Sequence, residues 1–173
     1  FRISASGYYY RINDLINQVK TGAGTKYENV DEVTARGAGL ELENKWPNGV
    51  DGRFNWGIQR TRDKLTGEQL TNSPEQLAML NLSVPVVNNK VFASVEERYM
   101  SRRRTEGSNN TQDFFTTNLT LFTQNLMRRL ELSASVYNLF GKQYSDPVSV
   151  DLLPLDTVRQ DGRSYRVKAT YLF

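Results

Sequence analysis

Arg129-Leu130-Glu131-Leu132-Ser133-Ala134-Ser135-Val136-Tyr137 alternates without a slip. Successive side chains of an extended chain point to opposite sides, so Leu130, Leu132, Ala134 and Val136 share one face. Glu131, Ser133 and Ser135 share the other. The segment is therefore a strand with one apolar and one wet face. The chain ends the same way: Tyr165, Val167, Ala169, Tyr171 and Phe173 stand opposite Arg166, Lys168, Thr170 and Leu172. Phe115 to Leu121 and Ala78 to Val86 repeat the pattern. Fainter copies cover Ile3 to Tyr10, Gly37 to Trp46, Phe54 to Thr61 and Val91 to Tyr99. The count comes to about eight strands of roughly 9–14 residues, with no convincing helical periodicity.

The connections sort by length. Pro47 to Gly52, Val87 to Lys90 and Asn125 to Arg128 are short and turn-like. Between them fall long polar stretches: Val19 to Lys26, Lys64 to Glu75, Arg102 to Thr111 and Phe140 to Asp161. Strict alternation of tight turns with long loops is expected of a transmembrane β-barrel wall. Strand length agrees, since tilted spanning strands need about 9–11 residues and soluble ones cluster near about 5–6. Aromatic residues collect at strand ends, where amphipathic rings favour membrane interfaces. Trp46, Phe54, Trp56, Phe92, Phe122, Tyr171 and Phe173 are assigned to the short-turn rim. Tyr99, Phe114, Phe115, Tyr137, Phe140 and Tyr165 are assigned to the long-loop rim. The fold class expected is all-β, an antiparallel up-and-down transmembrane barrel wall.

Composition fits a wall with two unlike faces. Of 173 residues, 38% are hydrophobic and 11% aromatic, and mean hydropathy is −0.58. No stretch approaches the roughly 18 apolar residues that mark a spanning helix. Lys and Arg number 22 and Asp and Glu 19, so net charge is 22 − 19 = +3, too little to indicate a nucleic-acid partner. The chain has no Cys and no His. Thiolate chemistry, Cys-type zinc sites and the usual neutral-pH general base are thereby excluded. No nucleophile, base and orienting group can be assembled, so an enzyme is not expected, nor any cofactor or metal. The chain begins at Phe1 without a leader, which reads as a mature product or a fragment.

Tyr137-Asn138-Leu139-Phe140-Gly141-Lys142-Gln143-Tyr144-Ser145-Asp146-Pro147, followed by Gly162-Arg163-Ser164-Tyr165 and a terminal Phe173, resembles the C-terminus of TonB-dependent outer-membrane receptors. Tyr27-Glu28-Asn29-Val30 with Arg36 to Leu42, and Thr66 to Pro74, resemble further segments of that family, in family order. The resemblance implies that residues 1–173 are the last part of a 22-stranded barrel, lacking the N-terminal plug, the TonB box and the earlier strands. It implies uptake of an iron-siderophore, cobalamin or similar scarce ligand, driven by a periplasmic TonB complex. It also implies a bacterial outer-membrane location, with lipid and lipopolysaccharide as surroundings. Tyr171 and Phe173 resemble the terminal signal read by the barrel-assembly machinery. On this orientation the short turns are periplasmic and the long loops extracellular.

Three groups of residues stand out. Arg102, Arg103 and Arg104 sit at an extracellular strand end, either as a solvated rim or facing an anionic ligand or lipopolysaccharide phosphate. Glu41, Glu43, Glu96, Arg98, Glu131, Arg166 and Lys168 share the polar face, which lines the lumen and would meet a plug; their mixed signs suggest ion pairs across strands. Glu97 falls on the apolar face and is expected at the rim or in a bulge. Gly22 to Lys26 lacks P-loop spacing. Asp146, Asp151, Asp156 and Asp161 lack a calcium-loop pattern and read as solvated loop acids. A self-contained eight-stranded barrel of structural or adhesive role and a soluble β-sandwich binding module are the alternatives to the transporter reading.

Overall fold

A computed structural model describes residues 1–22, 24–30, 32–124 and 129–171. Wherever the sequence alternates, a strand forms. The strands are β1 (Arg2–Ile12), β2 (Leu15–Thr21), β3 (Gly24–Val30), β4 (Val33–Lys45), β5 (Asp51–Asp63), β6 (Gln76–Val87), β7 (Val91–Met100), β8 (Phe114–Thr123), β9 (Leu130–Tyr137), β10 (Ser145–Pro147), β11 (Thr157–Arg159) and β12 (Ser164–Tyr171). A 3₁₀ turn covers Val150–Leu152. Eight strands form one antiparallel sheet in the order β1-β4-β5-β6-β7-β8-β9-β12, and β2-β3 and β10-β11 are separate two-stranded ribbons. The sheet is not closed: β1 and β12 lie at its two edges.

Register fixes the faces. Leu42 lies opposite Ile3 and Phe54, and Phe54 opposite Leu80. Val95 lies between Leu82 and Leu119, and Ala134 between Leu121 and Val167. These rows make a continuous apolar face. Val167 is 84% exposed and Leu82, Leu121 and Leu132 also lie open. An apolar surface of this extent is a contact surface for another phase. No second large sheet packs on it among the described residues, so the sandwich alternative fails.

The turns obey their residues. Asn88 and Asn89 have φ of 44° and 53°, and the Lys90 amide donates to the Val87 carbonyl at 2.8 Å. Two left-handed residues closed by that bond make a type I′ hairpin, for which asparagine is well suited. Gly49 supplies φ +86° in the turn from β4 to β5. The turn Asn125 to Arg128 lies outside the described residues.

Three expectations are corrected. Val19 to Lys26 is not a loop: β2 and β3 pair in register from Leu15↔Val30 to Thr21↔Gly24. The ribbon's two strands, unlike those of the large sheet, carry no apolar alternation in their sequence. Phe92, Phe122, Phe114 and Tyr137 are not membrane-belt residues, since their register puts them on the polar face. There Phe92 and Phe122 stack at 5.3 Å, and Phe114 stacks on Tyr144 at 4.2 Å. Trp56 is on the apolar face but near the middle of β5 rather than at a rim. Parity along the strand, not position at its end, decides which face an aromatic ring joins.

Candidate functional site

The polar face of the sheet is built by the residues that alternate with the apolar rows along each strand. At its short-turn end, Arg2 on β1 reaches Glu41 at 2.9 Å and Glu43 at 2.8 Å, both on β4. Arg53 on β5 reaches Glu43 at 3.0 Å. Three strands are thus tied by one alternating chain of charges. Further round, Glu96 accepts from the Asn118 side-chain amide at 2.7 Å. Arg98 lies in register with Met79 and Thr116, Glu131 with Thr170, Arg166 with Ser135 and Lys168 with Ser133. All seven charged residues therefore share this face. Among the described residues Arg98, Glu131, Arg166 and Lys168 have no ion-pair partner, and all four stand exposed.

Between these charges the wall is hollow. Ser6, Gly39, Gly57, Leu77 and Met100 form one cross-strand row, and Ser4, Glu41, Asn55, Met79 and Arg98 the next. Small residues in the first row leave a recess of about 720 Å³. A Cβ placed on Gly57 would meet nothing within 4 Å. Gly37, one register step away, is different. Tyr8 lays its ring over it and donates its hydroxyl to Gln59 Oε1 at 3.0 Å, bridging β1 to β5 across β4. A Cβ on Gly37 would lie 2.6 Å from the Ile58 carbonyl oxygen and 2.7 Å from that ring.

At the opposite rim the long connections are cross-braced. The Arg103 side chain is only 6% exposed. Its guanidinium donates to Asn72 Oδ1 at 3.0 Å and the Ser145 carbonyl at 3.3 Å, and pairs with Asp146. Arg104 pairs with Glu68 and donates to Ser108 Oγ at 3.3 Å. Of the three arginines only Arg102 is exposed. Arg103 thus fits neither sequence expectation: it is a buried brace between the connections 64–75, 101–113 and 138–163. Asp156, read as a solvated acid, accepts from Thr105 Oγ1 at 2.8 Å, the Gly107 amide at 2.8 Å and Asn109 Nδ2 at 3.0 Å. Those bonds, the Asn109 one foremost, hold its carboxyl below the ordinary range. On the apolar face Glu97 takes the Thr117 hydroxyl at 2.7 Å, near the end of β7 that leads into the long connection 101–113 and without a bulge at that position.

Asn138 explains part of the stretch that carries the family resemblance. Its φ is 49°, its amide donates to Asn118 Oδ1 at 2.9 Å, and its side chain clasps Lys142 through both N–H and C=O at 2.8–2.9 Å. The motif ends β9 and starts the last long connection.

A two-faced meander with all long connections at one rim is the section of a membrane barrel. Residues 1–139 match the family model described as TonB dependent receptor-like, beta-barrel. The chain belongs to the TonB-dependent receptors. No curated protein matches it in sequence. Among solved structures, the copper transporter OprC superposes with a TM-score of 0.81 at 18% identity, over 99% of this chain and 29% of its own. The ferric-catecholate import receptor Fiu from E. coli K12 gives 0.77 at 16%, over 99% and 25%. The ferric preacinetobactin receptor BauA from Acinetobacter baumannii gives 0.76 at 12%, over 98% and 27%. At these identities the likeness concerns the fold. The chain spans between 25% and 29% of the length of these three structures. Membership places the sheet in the bacterial outer membrane, with its apolar face towards lipid and its charged face towards the lumen of a TonB-dependent receptor barrel.

Tyr171 is at the end of β12, in register with Leu130; Phe173 lies outside the described residues. Sequence reasoning missed the Gly39–Gly57 recess and the Asp156 brace. The first is invisible without register. The second is visible only as Thr105, Gly107 and Asn109 spaced by single residues, a pattern too common to single out.

Proposed function

We propose that this segment is the C-terminal part, residues 1–173, of a 22-stranded receptor that takes up a scarce ligand, such as an iron-siderophore, across the outer membrane. Uptake is driven by a periplasmic TonB complex acting on an N-terminal plug. The observation that carries the proposal is the charged, recessed lumen wall on a receptor barrel whose structural relatives include copper and ferric-siderophore proteins. In this reading Glu41, Glu43, Glu96, Arg98, Glu131, Arg166 and Lys168 meet the plug. The exposed charges Arg98, Glu131, Arg166 and Lys168 are the ones free to pair with it. Arg102 faces the outside, where lipopolysaccharide phosphates or an anionic ligand approach. Tyr171 and Phe173 are read by the barrel-assembly machinery.

The test is uptake of radiolabelled iron, offered as ferric siderophores, and of copper by cells carrying or lacking the full receptor, with and without TonB. TonB-dependent accumulation of one of them supports the proposal. Equal accumulation in all strains overturns it.

A further inference from the structure

One cross-strand row on the lipid-facing side of the sheet carries like charges. Arg36 on β4 lies directly opposite Arg60 on β5, and Tyr9 on β1 flanks Arg36. The register does not slip between this row and the apolar rows below it, where Ala38 faces Ile58 and Leu40 faces Trp56. Arg36 and Arg60 therefore project from the same face as those residues. Both are exposed, and among the described residues neither side chain has an ion-pair or hydrogen-bond partner. The arginines of the next row are used locally: Arg11 pairs with Glu32, and Arg62 donates to the Gly67 carbonyl at 2.9 Å. Like charges directly opposite one another weaken a sheet. A bare arginine pair at this position calls for an anion from outside the chain.

The height of the pair in the wall decides which anion can reach it. Counted from the short-turn ends of β4 and β5, Arg36 lies nine residues above Lys45 and Arg60 nine above Asp51 (45 − 36 and 60 − 51). Nine steps of about 3.3 Å along a strand tilted by about 40° rise about 23 Å. The apolar band of such a wall is about 25 Å tall. The two guanidinium groups thus emerge at the edge of the hydrocarbon, on the rim of the long connections. Below them Gly7 and Ala38 share a row with Ile58, and Ala5 and Leu40 share the next with Trp56. Small side chains on β1 and β4 beside the larger Ile58 and Trp56 leave a lipid face on which an acyl chain can lie in close contact.

We propose that Arg36 and Arg60 form a seat for one phosphate of lipid A, the membrane-embedded part of lipopolysaccharide, with an acyl chain along Gly7 and Ala38. With the long connections extracellular, this level is the head-group layer of the outer leaflet, where lipid A carries the phosphates. Guanidinium forks match phosphate oxygens and keep their charge. Two of them supply, at one point, the double positive charge that a divalent cation supplies between neighbouring lipopolysaccharide molecules. The lipid in this seat is therefore held without a divalent ion, and stays on the receptor when chelation removes the rest. Arg102, beyond the end of β7, is no part of the seat. The proposal depends on the outer-membrane placement of the sheet and not on what the receptor transports.

The experiment uses the full receptor, extracted from outer membranes in detergent and washed with EDTA. Bound hydroxy fatty acid, a component of lipid A and not of phospholipid, is measured per folded receptor, with folding scored by heat-modifiable gel migration. It survives the wash in the wild type and in Lys90→Gln, whose charge lies in the β6–β7 hairpin at the opposite rim. In Arg36→Gln/Arg60→Gln it falls severalfold. Removing two like charges relieves their repulsion, so this variant folds. Added back to delipidated receptor, lipid A raises the temperature of the heat-modifiable transition, phosphatidylglycerol does not, and the double variant responds to neither. Equal retention in the double variant overturns the seat. An equal response to phosphatidylglycerol overturns lipid A as its occupant. Loss of the lipid from the wild type during the EDTA wash overturns the hold without a divalent ion. None of these readouts needs a transported substrate, so failure of the uptake proposal and failure of this one are separable.

Discussion

At the scale of single residues, space and hydrogen bonds decide more than charge does. Gly37 has Tyr8 above it and the Ile58 carbonyl beside it, so Gly37→Ala forces apart three strands. We expect a loss of about 1–3 kcal/mol, typical of overpacking, read as a lower temperature for the heat-modifiable transition. Phe at position 8 keeps the ring but loses the bond to Gln59, and falls between the two. Asp156 gives a pH signature. Its folded carboxyl titrates below the ordinary value of 3.8, so the brace contributes fully above that value and is lost as pH falls through the depressed one. Hydrogen exchange at the Gly107 amide, which donates to Asp156, is expected to stay constant from neutral pH down to the ordinary carboxylate range, after correction for intrinsic rates. Below it, protection falls. In Asp156→Asn the protection is reduced at every pH and the step disappears.

At the scale of elements, parity carries the architecture. The two-faced strands were legible because lipid on one side and a wet lumen on the other impose period two. The sequence of Leu130 to Val136 therefore sufficed to orient β9, and the register carried Glu131 and Lys168 to the same face. Where no such contrast acts, the reading ran out. β2 and β3 lie outside the large sheet and carry no alternation, and the Arg103 and Asp156 braces join residues 43 and 51 positions apart in the chain. Aromatic position misled for Phe92 and Phe122, which are at strand ends but on the lumen face. The recess yields a prediction of its own. Gly57→Leu grows into open space, so the barrel should assemble with unchanged heat-modifiability. If plug or ligand occupies the recess, TonB-dependent uptake falls several-fold while surface expression holds; unchanged uptake shows the recess to be idle.

At the scale of the whole molecule, the edges dominate. Unpaired strand edges in hydrocarbon cost several kcal/mol for each unsatisfied backbone group. β1 and β12 present such edges, and they lie apart at opposite ends of the sheet order. Residues 1–173 expressed alone and mixed with liposomes are therefore expected to give neither a heat-modifiable, protease-resistant band nor ligand uptake. The full receptor under the same conditions should give both. A resistant band from the segment alone means that eight strands can close upon themselves, and supports the small-barrel alternative.

The sorting of connections has a consequence for how such a gene can change. Each strand of the large sheet lies beside the next large-sheet strand in the chain, so the hairpin is the natural increment. Adding or deleting one strand would invert every later one and send long loops to the wrong compartment. Adding or deleting a pair, for instance β6 with β7, leaves all remaining loops on their own side. Lineages descending from this barrel should therefore differ in strand number by twos, with their insertions confined to the extracellular rim.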